Sequence, residues 1–234
     1  MTSSAVWLFL DFDNTLMGTE SLAVPSLVQR FNQLYAAQIG RDLTVEEFYT
    51  HFKGQGRETL CANLSAYFNT TIDYAVLYEN REAFMMAYLK EQKAAMAPHL
   101  LETLSVLQER GVQFAFVSNN PIQRAMAAMR YATNHRGDEL AAFFKTNYFE
   151  SGSIQKPDPD VYLRAIAQTG ADPARSYAVE DSTTGAKSAL AAGLKTFGYL
   201  GFSEQKTENE NALNALGVTA CFSDWNEFPL LINA

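Results

Sequence analysis

The fold is decided near the start of the chain by residues 6–15, VWLFLDFDNT. Val6–Leu10 is a continuous apolar run of strand length, and such runs fit a strand that is covered on both faces. The run ends at Asp11, and the residues that follow it are polar, so a loop succeeds the strand. Because open parallel sheets bind ligands beyond the carboxyl ends of their strands, this loop is the first candidate for a functional site.

Strands and helices alternate along the chain after Pro98. We expect Asp158 to cap one of these helices, with Pro159 at its first position. The alternation predicts an α/β fold in which a parallel sheet carries helices on both faces. The predicted strands are Val112–Val117, Tyr148–Ser151, Tyr177–Val179, Leu194–Tyr199 and Val218–Phe222.

A block of helical character interrupts this pattern after the first strand. From about residue 21 to residue 96, apolar residues recur at helical spacing, and no segment has the pattern of a strand. Thr44 and Glu47 have the spacing of a capping box, which predicts that a helix begins there. We therefore predict an inserted all-helical domain at 19–96 and an α/β core made of 1–18 and 97–234.

Composition and charge exclude several classes of protein. The 234 residues include 18 Lys and Arg against 26 Asp and Glu, and this net charge of −8 disfavours nucleic-acid binding. No apolar run approaches the roughly 20 residues that span a bilayer, so no membrane partner is expected.

The segment and cysteine patterns favour a cytoplasmic protein. Val6–Leu10 has neither the cationic residues before it nor the small-residue cleavage site after it that a signal peptide has, so we expect no signal peptide. Cys61 and Cys221 form no disulfide framework, which suits a cytoplasmic protein. We expect a monomer, and a dimer stays open.

Polar residues follow the apolar strands at the positions where a parallel sheet binds its ligands. Because the strand ends meet at one edge of the sheet, four carboxylates, a lysine and a hydroxyl should converge there. The carboxylates are Asp11, Asp13, Glu180 and Asp181, the lysine is Lys156, and the hydroxyl belongs to Ser118, which Asn119 follows directly.

Carboxylates placed this close together repel one another unless a cation lies among them. A hard divalent ion with oxygen ligands resolves the repulsion, and Mg²⁺ keeps waters that a substrate phosphate can replace. We expect Asp11 and Asp181 to be the first ligands. The backbone carbonyl of Asp13 is a third candidate, and Glu180 would bind directly or through water; a structural role for Glu180 stays open.

The same residues suit phosphoryl transfer. A carboxylate can attack phosphorus and form an aspartyl-phosphate, and Asp11 is placed best for this at the strand end. Asp13 would protonate the leaving oxygen and later activate the hydrolytic water. Lys156, the Ser118 hydroxyl and the backbone N–H of Asn119 would bind the phosphate. Thr15 is expected to support the loop by hydrogen bonding to Asp11 or its neighbours.

Four motifs in this order resemble those of the haloacid dehalogenase superfamily. They are Asp11-x-Asp13-x-Thr15, Ser118-Asn119, Lys156-Pro157 and Glu180-Asp181-Ser182. Three longer strings, FLDFDNTL at 9–16, KPDPDVY at 156–162 and EDSTTGA at 180–186, resemble the branch of phosphoglycolate phosphatases, sugar-phosphate phosphatases and beta-phosphoglucomutase. The resemblance covers nearly the whole chain. It implies a Rossmann-like core with a helical cap, and a Mg²⁺-dependent phosphatase of a small phosphorylated metabolite.

The resemblance also implies roles for residues of the helical block. Residues 53–57, KGQGR, resemble the substrate loop of the beta-phosphoglucomutase branch, which makes Lys53, Gly54 and Arg57 candidate substrate-binding residues. Arg57 would form a bidentate contact with a second phosphate or a carboxylate. Glu20, where the chain enters the block, is expected to reach the leaving group. One departure is Asn14, which stands where glycine is commonest in the first motif.

Two alternatives accompany this reading. The nearer one is a mutase that returns the phosphoryl group to a sugar instead of to water. The other is a signalling receiver, which also uses an acidic site, a lysine and a phospho-aspartate. Receivers are about half this length, and the helical insert after the first strand argues against one.

Overall fold

The chain folds into two compact units, seen here in a computed structural model that describes residues 5–52, 55 and 57–232. The core unit contains the chain up to Thr19 and from Lys93 onward, and the helical unit comprises Glu20–Gln92. The sequence places the two junctions at 18–19 and 96–97, so the observed second junction lies four residues earlier in the chain.

The strands along the chain are β1 Trp7–Leu10, β2 Met17–Gly18, β3 Ala95–Met96, β4 Gln113–Ser118, β5 Tyr148–Glu150, β6 Tyr177–Glu180, β7 Lys195–Tyr199 and β8 Cys221–Phe222. All but β2 and β3 form a parallel six-stranded sheet in the core unit, with strand order β5-β4-β1-β6-β7-β8. The first strand of the chain therefore lies in the middle of the sheet.

Helices make up the helical unit and cover the sheet of the core unit. Those of the helical unit are α1 Glu20–Ile39, α2 Val45–His51, α3 Arg57–Phe68, α4 Tyr74–Tyr78 and α5 Arg81–Gln92. Those of the core unit are α6 Leu100–Glu109, α7 Ile122–Arg130, α8 Gly137–Phe144, α9 Asp160–Thr169, α10 Thr183–Ala191, α11 Lys206–Ala215 and α12 Phe228–Leu231.

Successive side chains of a strand point to opposite faces of the sheet. Because consecutive residues of the strands are apolar, both faces of the sheet are apolar. Phe9 of β1 packs in one buried cluster with Val161 of α9 and Ala189 of α10. Phe116 of β4 lies on the opposite face, where its ring contacts Phe144 of α8 at 6.0 Å between centroids. The predicted α/β fold with helices on both faces is thus confirmed, and burial on both faces explains the unbroken apolar run before Asp11.

Two local predictions were wrong. A two-residue antiparallel pair, β2 with β3, lies where the sequence predicts a loop and then a strand-free block. Two residues are too few to show a period, so only the tertiary pairing reveals them. Asp158 does not cap a helix at Pro159: the helix begins at Asp160 with Pro159 as N-cap. The Asp158 side chain instead accepts a hydrogen bond from the Asp160 backbone N–H at 3.0 Å.

The helical unit has an apolar core of its own, with Phe31, Phe48, Leu60, Leu64 and Leu77 buried together. The capping box at the start of α2 is confirmed. Glu47 N–H donates to the Thr44 hydroxyl at 3.1 Å, and the Glu47 carboxylate accepts from the Thr44 N–H at 3.5 Å. Among the described residues, no helix has both the length and the apolarity that crossing a membrane requires.

Candidate active site

Asp11 is held in place directly after β1. Its backbone N–H donates to the carbonyl of Val179 on β6 at 3.1 Å, so the sheet ladder extends to this residue. The carboxylate accepts from the Thr15 hydroxyl through Oδ2 at 3.1 Å and from Lys156 Nζ through Oδ1 at 2.7 Å. Asp11 is only 8% exposed, and these contacts fix the orientation of its carboxylate. The expected support from Thr15 is confirmed.

Lys156 links three strand ends through a single ammonium group. Its Nζ donates to Asp11 at 2.7 Å, to Glu180 Oε1 at 2.6 Å and to the carbonyl of Val117 at 3.1 Å. A lysine has three N–H donors, so each one has a protein acceptor here. The ammonium also lies 5.1 Å from the centroid of the Tyr162 ring. A phosphate that binds Lys156 must therefore replace or share one of these acceptors.

Glu180, the last residue of β6, is 1% exposed and engaged by two donors. Lys156 Nζ and the Tyr162 hydroxyl both donate to its Oε1. Gly185 of α10 lies so close behind the carboxylate that a Cβ atom there would overlap it. Lys156 and Tyr162 therefore hold Glu180 in place, and its role as a metal ligand stays a prediction.

Burial and charge shift the ionisation of this group of residues. Burial raises the pKa of Asp11, and the Lys156 ammonium offsets part of the rise. Burial, followed by the charge of Asp11, raises the pKa of Glu180 to about 7. Burial alone would lower the pKa of Lys156, but the charges of Asp11 and Glu180 outweigh it and raise the pKa. The raised pKa values of Asp11 and Glu180 thus come first from burial, and the charge of a neighbouring carboxylate adds to the rise.

Three carboxyl groups come together at this point, and their arrangement fits a cation. Asp11, Glu180 and Asp181 each offer an oxygen, and these atoms lie within 4.8 Å of one another. Oxygen ligands and an excess of negative charge are what Mg²⁺ requires. The Asp13 side chain is not part of this group.

The carboxylate of Asp13 is held by two donors of its own. The Thr19 hydroxyl donates to Oδ1, and Asn120 Nδ2 donates to Oδ2 at 2.8 Å. The intervening turn is closed by the Asn14 N–H, which donates to the Met17 carbonyl at 2.7 Å. Asn14 has φ of +56°, a left-handed conformation that asparagine tolerates, which explains how it replaces the usual glycine.

Ser118 and Asn119 follow β4 and organise the loops around Lys156. The Ser118 hydroxyl accepts from the Asn120 backbone N–H at 3.0 Å. Asn119 Oδ1 accepts from the Lys156 backbone N–H at 2.8 Å and from the Ser151 hydroxyl at 2.6 Å. The side chain of Asn119 therefore fixes the segment that carries Lys156.

Two candidate residues of the helical unit lie at the starts of helices. Glu20 is the first residue of α1, and Arg57 is the first residue of α3; both are exposed. The Arg57 guanidinium lies 5.4 Å from the centroid of the Tyr78 ring. An open cavity of about 530 Å³ is lined by Arg57, Tyr78 and Arg81 among others. Lys53 and Gly54 lie outside the described residues.

Comparison with known proteins places this arrangement in a family. Residues 8–199 match the family of haloacid dehalogenase-like hydrolases, and the match includes all four motifs. The chain belongs to this family.

Relatives and solved structures agree with this assignment. A phosphoglycolate phosphatase of Pseudomonas syringae pv. syringae (strain B728a) is 29% identical over 207 residues, which cover 82% of this chain and 70% of the relative. A HAD family hydrolase from Deinococcus radiodurans R1, solved with bound phosphate and sodium, is 26% identical with a TM-score of 0.71, covering 96% and 93%. CbbY from Rhodobacter sphaeroides, solved with phosphate, has the same fold at 20% identity, with a TM-score of 0.66 and 96% of each chain covered.

Sequence reasoning missed three residues of the hydrolase site: Thr19, Asn120 and Tyr162. Tyr162 lies in the string KPDPDVY, but nothing in the string shows that its hydroxyl meets Glu180. Thr19 and Asn120 are ordinary loop residues by sequence. Each acts through a tertiary partner, so only the folded geometry identifies it.

We predict that Gly185→Ala destabilises the hydrolase because the new Cβ displaces the Glu180 carboxylate from Lys156. Breaking a buried ion pair costs about 3–5 kcal/mol of unfolding free energy. The measurement is urea denaturation in EDTA. Gly217→Ala is the matched control: Gly217 has φ of +86°, and a Cβ there would meet no described residue within 4 Å, so only backbone strain of about 1–2 kcal/mol is expected. Equal losses for the two variants would show that Glu180 tolerates displacement.

Proposed function

We propose that this chain is a Mg²⁺-dependent phosphatase that hydrolyses a small phosphorylated metabolite through an aspartyl-phosphate on Asp11. The observation that carries the proposal is the Asp11 carboxylate, held between Thr15 and Lys156 at the end of the central strand, within the cluster that includes Asp181. The 29% identical phosphoglycolate phosphatase and the phosphate-bound structure of a relative support phosphate-ester chemistry.

The acidic cluster would hold the metal ion. Asp11 and Asp181 would be carboxylate ligands, joined by the backbone carbonyl of Asp13. Glu180 Oε1 already accepts two hydrogen bonds, so Glu180 would contribute through its second oxygen or through a water. When bound, Mg²⁺ supplies positive charge that neutralises and orients the substrate phosphate.

Two carboxylates would carry out the reaction, Asp11 as the nucleophile and Asp13 as the acid and base. Asp11 attacks phosphorus, and the ester oxygen leaves with the electron pair of its bond and takes a proton from Asp13. Asp13 then accepts a proton from water as the water oxygen attacks phosphorus and releases Asp11. Lys156, Ser118 and the Asn119 backbone N–H would bind the phosphate oxygens. Lys156 would also keep Asp11 ionised and therefore nucleophilic.

The helical unit would act as a cap that selects the substrate. Arg57 and Arg81 both lie against the Tyr78 ring, at 5.4 and 5.6 Å, and line one open cavity. Two guanidinium groups beside one cavity suit a second anionic group on the substrate, either a phosphate or a carboxylate. Glu20 would address the leaving group, and Lys53 and Gly54 would complete the substrate loop. Cytoplasmic action of a monomer stays a prediction from the sequence.

The decisive experiment is a screen of the purified protein against phosphorylated metabolites. We expect release of inorganic phosphate with Mg²⁺, loss of release in excess EDTA and little activity with Ca²⁺, whose looser coordination misplaces the reacting groups. Isomerisation primed by a bisphosphate, without net phosphate release, would instead support the mutase alternative. Full activity in excess EDTA would remove the metal from the mechanism.

We predict that Asp11→Asn abolishes turnover while the fold persists, since the amide has the shape of the carboxylate but is not a nucleophile. The residual rate should fall below about 10⁻³ of wild type, as for other removed nucleophiles. Asp138→Asn, an exposed acid of α8, is the matched control and should keep full activity. Near-normal phosphate release by a sequence-verified Asp11→Asn sample would contradict the mechanism.

We predict that Arg57→Ala lowers kcat/KM about 10–100-fold for the natural substrate, because the variant loses a charge-assisted hydrogen bond to it. Acetyl phosphate has no remote anionic group, so its kcat/KM should change less than about threefold. Arg41→Ala is the matched control, because Arg41 also stacks on a ring of the helical unit, Phe68 at 4.8 Å. The same factor for both substrates would reassign Arg57 to the structure of the helical unit.

A further inference from the structure

Asp13, the general acid proposed above, is hydrogen-bonded to a residue of another loop. Asp13 follows β1, whereas Asn120 follows β4, and the two side chains meet at 2.8 Å across 107 positions of sequence. Asn120 is in turn fixed by its backbone, whose N–H donates to the Ser118 hydroxyl at 3.0 Å. Pro121 follows directly and is the N-cap of α7, and the backbone of a residue before a proline is restricted. Asn120 therefore has little conformational freedom, and its side chain helps to set the position of the Asp13 carboxylate.

Two donors hold the two oxygens of Asp13 separately: Thr19 at Oδ1 and Asn120 at Oδ2. A carboxylate oxygen has two lone-pair sites, and each oxygen uses one for its donor. Among the hydrogen bonds of the described residues, this leaves one site per oxygen for the proton that Asp13 must give to the leaving oxygen and later take from water. The two hydrogen bonds therefore fix the carboxyl group without occupying its reactive positions.

We propose that Asn120 is a positioning residue that acts through Asp13 and orients it for proton transfer in both halves of the reaction. Proton transfer requires a heavy-atom distance of about 2.6–3.2 Å, so a carboxyl group free to rotate loses part of its effect. Asn120 makes no contribution to phosphate binding in this scheme. The inference rests on the proposed phosphatase function, because it needs a leaving oxygen that must be protonated.

The first test compares leaving groups. Asn120→Ala should lower kcat/KM about 10–100-fold for an alkyl phosphate, the worth of one hydrogen bond to a charged group. It should lower kcat/KM much less for p-nitrophenyl phosphate, whose leaving group needs little protonation. The Ki of inorganic phosphate should stay unchanged. A rise in this Ki that matches the fall in kcat/KM would overturn the inference and make Asn120 a phosphate ligand.

The second test is a double-mutant cycle with Asp13→Ala, measured as kcat on the alkyl phosphate, the substrate for which Asn120→Ala is expected to have its large effect. If Asn120 acts through Asp13, Asn120→Ala lowers kcat in the wild-type background and has no further effect in the Asp13→Ala background. The same factor in both backgrounds would overturn the inference. Asn120→Ser, whose side chain ends short of Asp13, repeats the cycle with a polar residue should Asn120→Ala fail to fold.

The control is Asn134→Ala, which removes an asparagine from another loop of the core unit and should leave every one of these quantities unchanged. Thermal unfolding of each variant verifies that the fold is retained. The two proposals fail differently. A wild-type protein that releases no phosphate from any ester contradicts the proposed function, whereas an active wild type with an additive cycle contradicts only the role of Asn120.

Discussion

The buried ammonium of Lys156 is the interaction on which the rest of the site depends. Its three donors join the ends of β1, β4 and β6, which are neighbours in the sheet, by reaching Asp11, the Val117 carbonyl and Glu180. Each of these partners is buried, and a buried charge without its partner is strongly unfavourable. Two side chains around Lys156 support this arrangement: Asn119 fixes the Lys156 backbone, and Tyr162 donates a second hydrogen bond to Glu180 Oε1.

The charge of this group is not balanced by Lys156. Three carboxyl groups lie within 4.8 Å of one another beside a single ammonium, and burial, together with the charge of neighbouring carboxylates, raises the pKa of Asp11 and of Glu180. Replacing a buried ion pair by apolar side chains of similar volume is often neutral or stabilising, so stability alone does not explain this group of charges. The imbalance is understandable if a divalent cation joins the group, and it connects the physical chemistry of the site with the proposed phosphatase activity.

The sequence predicts the parts of this structure that depend on local pattern and strand order. The apolar run before Asp11 marks a central strand, and the strand ends then bring Ser118, Lys156 and Asp181 to one edge of the sheet. It does not predict the roles of Thr19, Asn120 and Tyr162, because each acts through a partner far away in sequence or across a turn. It also misses β2 and β3, whose two residues each are too short to carry a period.

Calorimetric titration of Mg²⁺ into the metal-free protein tests the central claim most directly, because it needs no substrate. The account predicts saturable binding of one ion per chain, weakened about tenfold or more by Asp181→Ala, which removes a ligand. Asp138→Ala, which removes an exposed acid of α8, should leave the affinity unchanged. Absence of saturable binding, or equal affinity in wild type and Asp181→Ala, would contradict a metal site built on Asp11, Glu180 and Asp181.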